Sequence, residues 1–566
     1  MKKTICILLI AVLLGLCGCS ANSDVMPGAG EPDVTAGFDW SAYDALIEAT
    51  RTETDLEKRS QMFHQAEELV MQTGAVLPLT YGTKSCVVKA DVSGVYQATT
   101  CEIFFDRIRR EGVPADEPLQ ICICGEPMTL DPILKMANDI AMIAGNTSAG
   151  LLRENAQGQY ECVLAERYEI SDDGKTYTFH LRPDLKWSDG APLTAEDFAY
   201  AWKRATAKET AAEAGYLFDC IRGYPEDLDL TVSDNGQTLT VVLAHPCAYF
   251  LSLCAKVEFG PAYRKQVEGA EGYKDENGKV VNPGAWASEG GLVSCGAYYV
   301  KSWTHNESIV LEKNPYYFKA DEVPTQTINL MLTSDTTAAY NAYVADSVVL
   351  IDKVPEDIAD EIADTPEFHS RPSLTTSYIA FNVDSPLFEG MTAQEAATFR
   401  RALGFAVDRE FLCAIATSGR SRPAVSVVPP NIHDGTGKTF GEGYEYDEAK
   451  GYFSVKQDLG KAREMLESIG FRFGSDGELV DPITVDYLYN PSDSNAAIAA
   501  CLQADFAELG IHLNLVQMEW NVFLGERRQA NAESFRGAWT SDFDDPYGML
   551  NIFTSDSANN DYKLGK

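Results

Sequence analysis

Stretches in which apolar residues fall on every second position alternate along this chain with stretches in which they recur every three or four. Tyr177-Thr-Phe-His-Leu-Arg182, entered through Asp173-Gly174, and Leu239-Thr-Val-Val-Leu243, following Asn235-Gly236, carry the two-residue period and the turn dipeptides of antiparallel strands. After a capping Asp458, the residues Leu459, Ala462, Met465, Leu466 and Ile469 keep the helical period and stop at Gly470. A second amphipathic helix is expected over 496–509; it ends at Gly510 and leads into a strand over 511–516. Elements mixed in this way predict α/β lobes. The chain has 566 residues, and single cores stop growing at roughly 250–300 residues, so two or three lobes are expected.

The N-terminus breaks the pattern. Lys2 and Lys3 precede an apolar run from Ile5 to Leu16, too short to span a bilayer, which closes on Leu16-Cys17-Gly18-Cys19. This resembles a bacterial lipobox, with Cys19 as the lipidated first mature residue; the alternative is an ordinary signal peptide. Residues 20–37, rich in Ser, Asn, Gly and Pro, then read as a flexible tether. No later run reaches the roughly 18 apolar residues needed to cross a membrane.

A formal net charge of −38 excludes a nucleic-acid partner, since phosphate recognition needs a basic face. Of fourteen cysteines, removal of Cys6, Cys17 and Cys19 leaves eleven, scattered without paired spacing. Cys122 and Cys124 share one face of an expected strand and pack there as small hydrophobes. Most are read as free buried thiols, with one or two disulfides left open.

Several chemistries fail on spacing. Asp434-Gly-Thr-Gly437-Lys438-Thr439 ends like a phosphate loop, but the first glycine that loop requires falls at Ile432. The seven histidines include no pair at helical ligand spacing, and Asp275-Glu-Asn277-Gly278 lacks the closing glutamate of a calcium loop. There is no Gly-x-Ser-x-Gly elbow and no cysteine nucleophile signature. The sequence therefore reads as a binder rather than an enzyme, with no metal and no cofactor.

One segment does carry binding chemistry. Trp520, Arg527, Arg528, Arg536, Trp539 and Asp542 follow one another in a short stretch. An acid can pair with a free α-amino group, arginine forks can take a terminal carboxylate, and indole faces can cover side chains without reading them. Surface ion pairs and core tryptophans explain the same residues equally well.

The run Glu519-Trp520-Asn-Val-Phe-Leu524, followed by Arg536-Gly-Ala-Trp539-Thr-Ser-Asp542-Phe-Asp-Asp-Pro546, resembles the solute-binding proteins of oligopeptide ABC importers. Glu126-Pro-Met-Thr-Leu-Asp131-Pro132, Leu185-Lys-Trp187-Ser-Asp189-Gly190, Leu311-Glu-Lys-Asn314-Pro315-Tyr-Tyr317 and Arg400-Arg401-Ala-Leu-Gly-Phe-Ala-Val-Asp408-Arg409 continue the likeness over nearly the whole mature chain. The resemblance implies a two-lobed α/β fold of the type II periplasmic-binding-protein kind, with hinge strands and an extra inserted domain. It implies Asp542 as the amine anchor, and Arg536, Arg527 and Arg528 toward the peptide carboxylate. Trp520 and Trp539 would cover side chains, and two strands, near Met136-Ala137-Asn138 and Ala538-Trp539-Thr540, would pair with peptide backbone. Ser494 and Asn495 stand where enteric relatives carry a carboxylate-binding His, and Gly82 stands where an aromatic cover would fall. The implied partners are short peptides, an ABC permease with its ATPase, and the membrane through a lipid anchor. The implied location is extracytoplasmic. Dipeptides, nickel chelates or oligosaccharides are alternative cargoes, and a receptor for signalling peptides is an alternative role.

The order of the parts departs from the family. Residues 38–113, opening Asp39-Trp40-Ser-Ala-Tyr43-Asp44, resemble the family's C-terminal segment yet come first, which implies a circular permutation or a rearranged gene. The expected organisation is a leader over 1–19, a tether over 20–37, the displaced segment over 38–113, a first lobe over 114–385 with a small domain inserted at about 150–285, and a second lobe over 386–566. The second lobe would take in roughly 38–83.

Overall fold

The computed structural model describes residues 40–99, 102–155, 158–417, 420–529 and 531–565. The expected leader with Cys19 and the tether lie outside them. Ten cysteines fall within them, all free, and all but Cys162 are buried.

A single twisted sheet runs through the molecule. Numbered along the chain, its strands are β1 (Val76–Val88), β2 (Leu119–Ile123), β3 (Tyr298–Thr304), β4 (Ser308–Lys313), β5 (Thr327–Leu332), β6 (Leu350–Ile351), β7 (Phe368–Phe381), β8 (Arg422–Pro423), β9 (Ile483–Tyr489), β10 (Ile511–Gln517) and β11 (Ser534–Thr540). Their order is β3-β4-β5-β2-β6-β1-β7-β11-β9-β10, with β8 beside β1. Two large apolar cores lie along it. One is built mainly from residues 119–350 together with Cys86, Val88, Ile103, Phe105 and Ile108. The other gathers Trp40 to Leu79 with residues 374–564. Separate cores are what make two lobes physically distinct.

The strands β1 and β7 belong to both lobes. They pair antiparallel from Val76 opposite Ala380 to Val87 opposite Phe368. The Val76–Leu79 end of β1 is buried in the second core and its Cys86–Val88 end in the first lobe. Two long strands crossing from core to core are the hinge. At the crossing the register slips around Gly82, where a Cβ would stand 2.7 Å from Ser373 Oγ and 2.9 Å from Thr375 Cβ. That close approach excludes an aromatic side chain at position 82.

Helices α1 (Ser41–Thr52) and α2 (Leu56–Thr73) precede β1 and pack on the last residues of the chain. Trp40 Nε1 donates to the Phe553 carbonyl at 2.8 Å and Tyr43 Oη to that of Leu550 at 2.6 Å. A Cβ on Gly565 would lie 2.7 Å from the Trp40 ring, so the two described ends of the chain touch. Within 150–285 a separate four-stranded sheet orders Leu230–Ser233, Thr238–Val242, Thr176–Leu181 and Ala165–Ile170, against which the helix Ala195–Thr206 packs.

Candidate functional site

The strand β11 is where the lobes offer backbone. On one side it pairs with β7 through its whole length, Ser534 opposite Phe381 to Thr540 opposite Thr375. On the other side β9 reaches only Ser534 and Phe535, so from Gly537 to Thr540 that edge has no strand partner among the described residues. An open edge is a template for an added strand. Ala538 sits opposite Ser377 in this ladder, and the Thr540 hydroxyl meets that of Thr375 at 2.8 Å.

Beyond the strand end lies a cavity of about 260 Å³ between the lobes. The second lobe contributes Thr540 and Asp542, the hinge strands Lys84 and Ser373, and the first lobe Met136 and Ala137. The expected strand at Met136-Ala137-Asn138 is corrected: Ala137 is extended but, like Met136, lies in no strand, Asn138 opens the helix α3 (Asn138–Thr147), and the Met136 N–H donates to Glu213 at 3.3 Å. From the inserted domain the Tyr216 hydroxyl donates to Asp542 Oδ2. Burial first, then the Asp542 charge, pushes the Tyr216 phenol far up, so it keeps its proton and acts as donor.

At the other end of β11 stands Arg536. Its Nη1 reaches Asn490 Oδ1 at 3.5 Å, and no described carboxylate lies within ion-pair distance of it. Burial pulls its pKa down, Tyr487 opposes this, and the neighbouring Arg527 adds to the fall. A half-buried guanidinium without an acid is an unmet demand for a carboxylate. Asn495, on α4 (Asp493–Ala507), donates to the Asn490 carbonyl at 3.0 Å and to Asn490 Oδ1 at 3.3 Å. It therefore holds the residue that holds Arg536.

The remaining sequence candidates divide. Arg527, on α5 (Trp520–Arg528), donates to Asp561 at 2.9 Å and lies over the Phe535 ring at 4.8 Å, so its charge is already matched inside the second lobe. Arg528 is exposed, and its carbonyl accepts from Lys563. Trp520 is 44% exposed and tilts against Phe523. The Trp539 indole N–H is closed on the Gly548 carbonyl at 2.8 Å.

Sequence reasoning missed Tyr216, Lys256 and Glu258. Tyr216 contacts Asp542 across 326 positions, which no local pattern reveals. For the other two a signal existed: Lys256-Val257-Glu258 interrupts an apolar run from Tyr249 to Phe259 with two charges, and both line the cavity.

Arg536 and Asp542 are six residues apart, so their Cα atoms are separated by at most about 20 Å at about 3.3 Å per extended residue.

Comparison with known proteins agrees with this architecture. The model for bacterial extracellular solute-binding proteins, family 5 (middle region), matches residues 159–561. The oligopeptide-binding protein OppA of Bacillus subtilis is 29% identical over 457 residues, covering 78% of each chain. A probable deoxycholate-binding periplasmic protein of Escherichia coli, YgiS, is 30% identical and covers 77% of each. The crystal structure of a periplasmic oligopeptide-binding protein from Borrelia burgdorferi superposes with a TM-score of 0.57 at 27% identity, covering 78% of this chain and 83% of that one. With its two cores, shared hinge strands and interlobe cavity, the chain belongs to the family 5 bacterial extracellular solute-binding proteins.

Proposed function

We propose that this chain is an extracytoplasmic, lipid-anchored binding protein that captures short peptides between its lobes and delivers them to an ABC permease. The observation that carries the reading is the pairing of Asp542 with an acid-free Arg536 at opposite ends of a half-open strand edge. A zwitterion of matching length meets both charges, and its backbone completes β11. Ligand held by both lobes shifts the hinge equilibrium toward the closed form, the one that docks productively on the permease. Calorimetry with free and N-acetylated tripeptides tests it. Acetylation leaves Asp542 facing a neutral group and removes most of the affinity; equal affinities would take Asp542 out of this role. Mass spectrometry of ligand released from purified protein identifies the cargo.

The lipid anchor is assigned to Cys19, in keeping with the lipobox resemblance and with the lack, among the described residues, of any helix long and apolar enough to cross a membrane. Cys19→Ser should move the protein out of the membrane fraction and leave peptide binding intact.

The order of segments is read as a circular permutation. The junction of Trp40 with Gly565 and the packing of α1 on residues 550–555 support it, since new ends are tolerated where old ends lie close together.

A further inference from the structure

Arg51, in the last turn of α1, reaches from the second lobe to the inserted domain. Its helix packs into the second core through Tyr43 and Ile47, whereas Phe218, Cys220 and Cys247, which stand beside its partners, belong to the first core. Arg51 Nη2 donates to Asp219 Oδ2 at 3.2 Å and lies 3.1 Å from His245 Nε2. His245 Nδ1 is 3.0 Å from the Pro246 carbonyl, which can only accept, so Nδ1 carries the proton and Nε2 accepts from the guanidinium. Burial pushes the Asp219 carboxyl up, and Arg51 is the first charge to hold it down. Asp219 ends the short helix Glu213–Phe218, which presents Tyr216 to Asp542. Arg51, Asp219 and His245 themselves do not line the cavity. The contact between the lobes continues through Phe543, whose ring stacks 4.3 Å from that of Tyr249, and through the Asp544 N–H, 3.4 Å from Ser252 Oγ.

Arg51 also has a second acid, on its own helix. Glu48 Oε2 stands 3.6 Å from Nη1, on a side chain 70% exposed. When the hinge opens, Asp219 and His245 leave with the inserted domain and Glu48 stays. Arg51 therefore has a partner in either state, and opening strands no buried cation. Its contacts with Asp219 and His245 exist in the closed state alone, and an interaction present in one of two states shifts the equilibrium toward that state. A fully exposed ion pair is worth little, but the Arg51 side chain is only 20% exposed and makes two hydrogen bonds from one nitrogen.

We infer that Arg51 is an interlobe latch, which closes on Asp219 and His245 when the lobes come together and sets how long a ligand stays bound without touching it. The three are positioning residues, acting through the hinge. Because a ligand held between lobes leaves through the open form, the latch governs dissociation and leaves capture unchanged. The inference rests on the peptide-binding reading above, and its test separates the two.

Rapid filtration on the full chain with radiolabelled alanine tri- and pentapeptides provides that test, since it reads association and dissociation separately. Arg51→Ala and Asp219→Asn, each shown to be folded by its melting curve, are expected to speed dissociation about three- to tenfold and to leave association within about twofold. Arg51→Lys, which keeps the charge, should lie between the wild type and Arg51→Ala. Asp219→Asn added to Arg51→Ala should change dissociation little further, because the contact is already gone. Dissociation unchanged in both single variants would overturn the inference and leave the peptide reading intact, as would effects that add in full or that fall on association. Failure of both peptides to bind the wild type would bring down the peptide reading and this inference with it.

Discussion

Arg59 and Asp545, 486 positions apart, form a two-pronged ion pair with nitrogen–oxygen distances of 2.7 and 2.9 Å, and their side chains are only 3% and 2% exposed. Arg59 also donates to the Thr50 carbonyl at 2.9 Å, so it joins α1, α2 and the loop that carries Asp542 three residues earlier. Removing one partner strands a buried charge, which costs about 3–5 kcal/mol. Arg59→Ala and Asp545→Ala are each expected to lower the unfolding free energy by about that amount in denaturant titrations. The double substitution should cost clearly less than the sum, because neither charge is then left alone.

Arg536→Ala tests the length of the cargo. If its guanidinium takes a ligand carboxylate, tripeptides should weaken by about ten- to a hundredfold, the worth of a charged hydrogen bond of about 1.5–3 kcal/mol. Pentapeptides, whose carboxylate falls beyond it, should weaken by less than about threefold. Calorimetry across a ladder of alanine peptides reads this directly. A loss uniform across lengths would make Arg536 a structural cation.

Local elements were legible in the sequence because their causes are local. The Asp173-Gly174 and Asn235-Gly236 turns mark real hairpins, and the strand Thr176–Leu181 pairs with Thr238–Val242 from Thr176 opposite Val242. Asp458 caps Leu459–Ser468 by accepting from the Lys461 N–H, and the strand expected after Gly510 spans Ile511–Gln517. Site residues were legible as types but not as partners. Arg527 and Arg536 look alike in sequence, and only the fold supplies Asp561 to one and withholds an acid from the other. Asn495 looked like a ligand contact, and its amide is spent on Asn490. Met136 to Asn138 looked like a strand, and α3 begins inside it.

Glu67 gives the fold a pH dependence of defined sign. It is fully buried on α2 and accepts from the Val428 N–H at 2.7 Å and from Tyr452 Oη at 3.0 Å. Burial, only partly offset by those hydrogen bonds, pushes its carboxyl up from 4.5 to about 8. A raised folded pKa means that its stabilising contribution is complete below the unfolded value near 4.5 and is lost as pH rises through about 8. At about 1.4 kcal/mol per pH unit the loss amounts to several kcal/mol. Glu67→Gln, neutral throughout, should therefore gain on the wild type steadily between pH 5 and pH 8.5 in denaturant titrations. A stability gap that stays constant over that range would show that Glu67 is ionised in the fold.

The first segment, residues 38–113, is expected to be indispensable to both lobes. It supplies β1, which covers β7 along the hinge, and the apolar residues Tyr43, Phe63, Val70 and Leu77 of the second core. It also supplies Cys86, Ile103 and Phe105 to the first core. Deleting 38–112 uncovers a long strand edge in β7, opens both cores and leaves Asp545 buried without Arg59. These losses exceed the roughly 5–15 kcal/mol that keeps a domain folded. A chain beginning at Pro114 and fused to a soluble carrier should therefore aggregate or bind hydrophobic dye, whereas the chain lacking only its first 18 residues should melt cooperatively. If the shortened chain were monomeric, cooperative and still bound peptide, the segment would be a passenger, and the permutation reading would have to be given up.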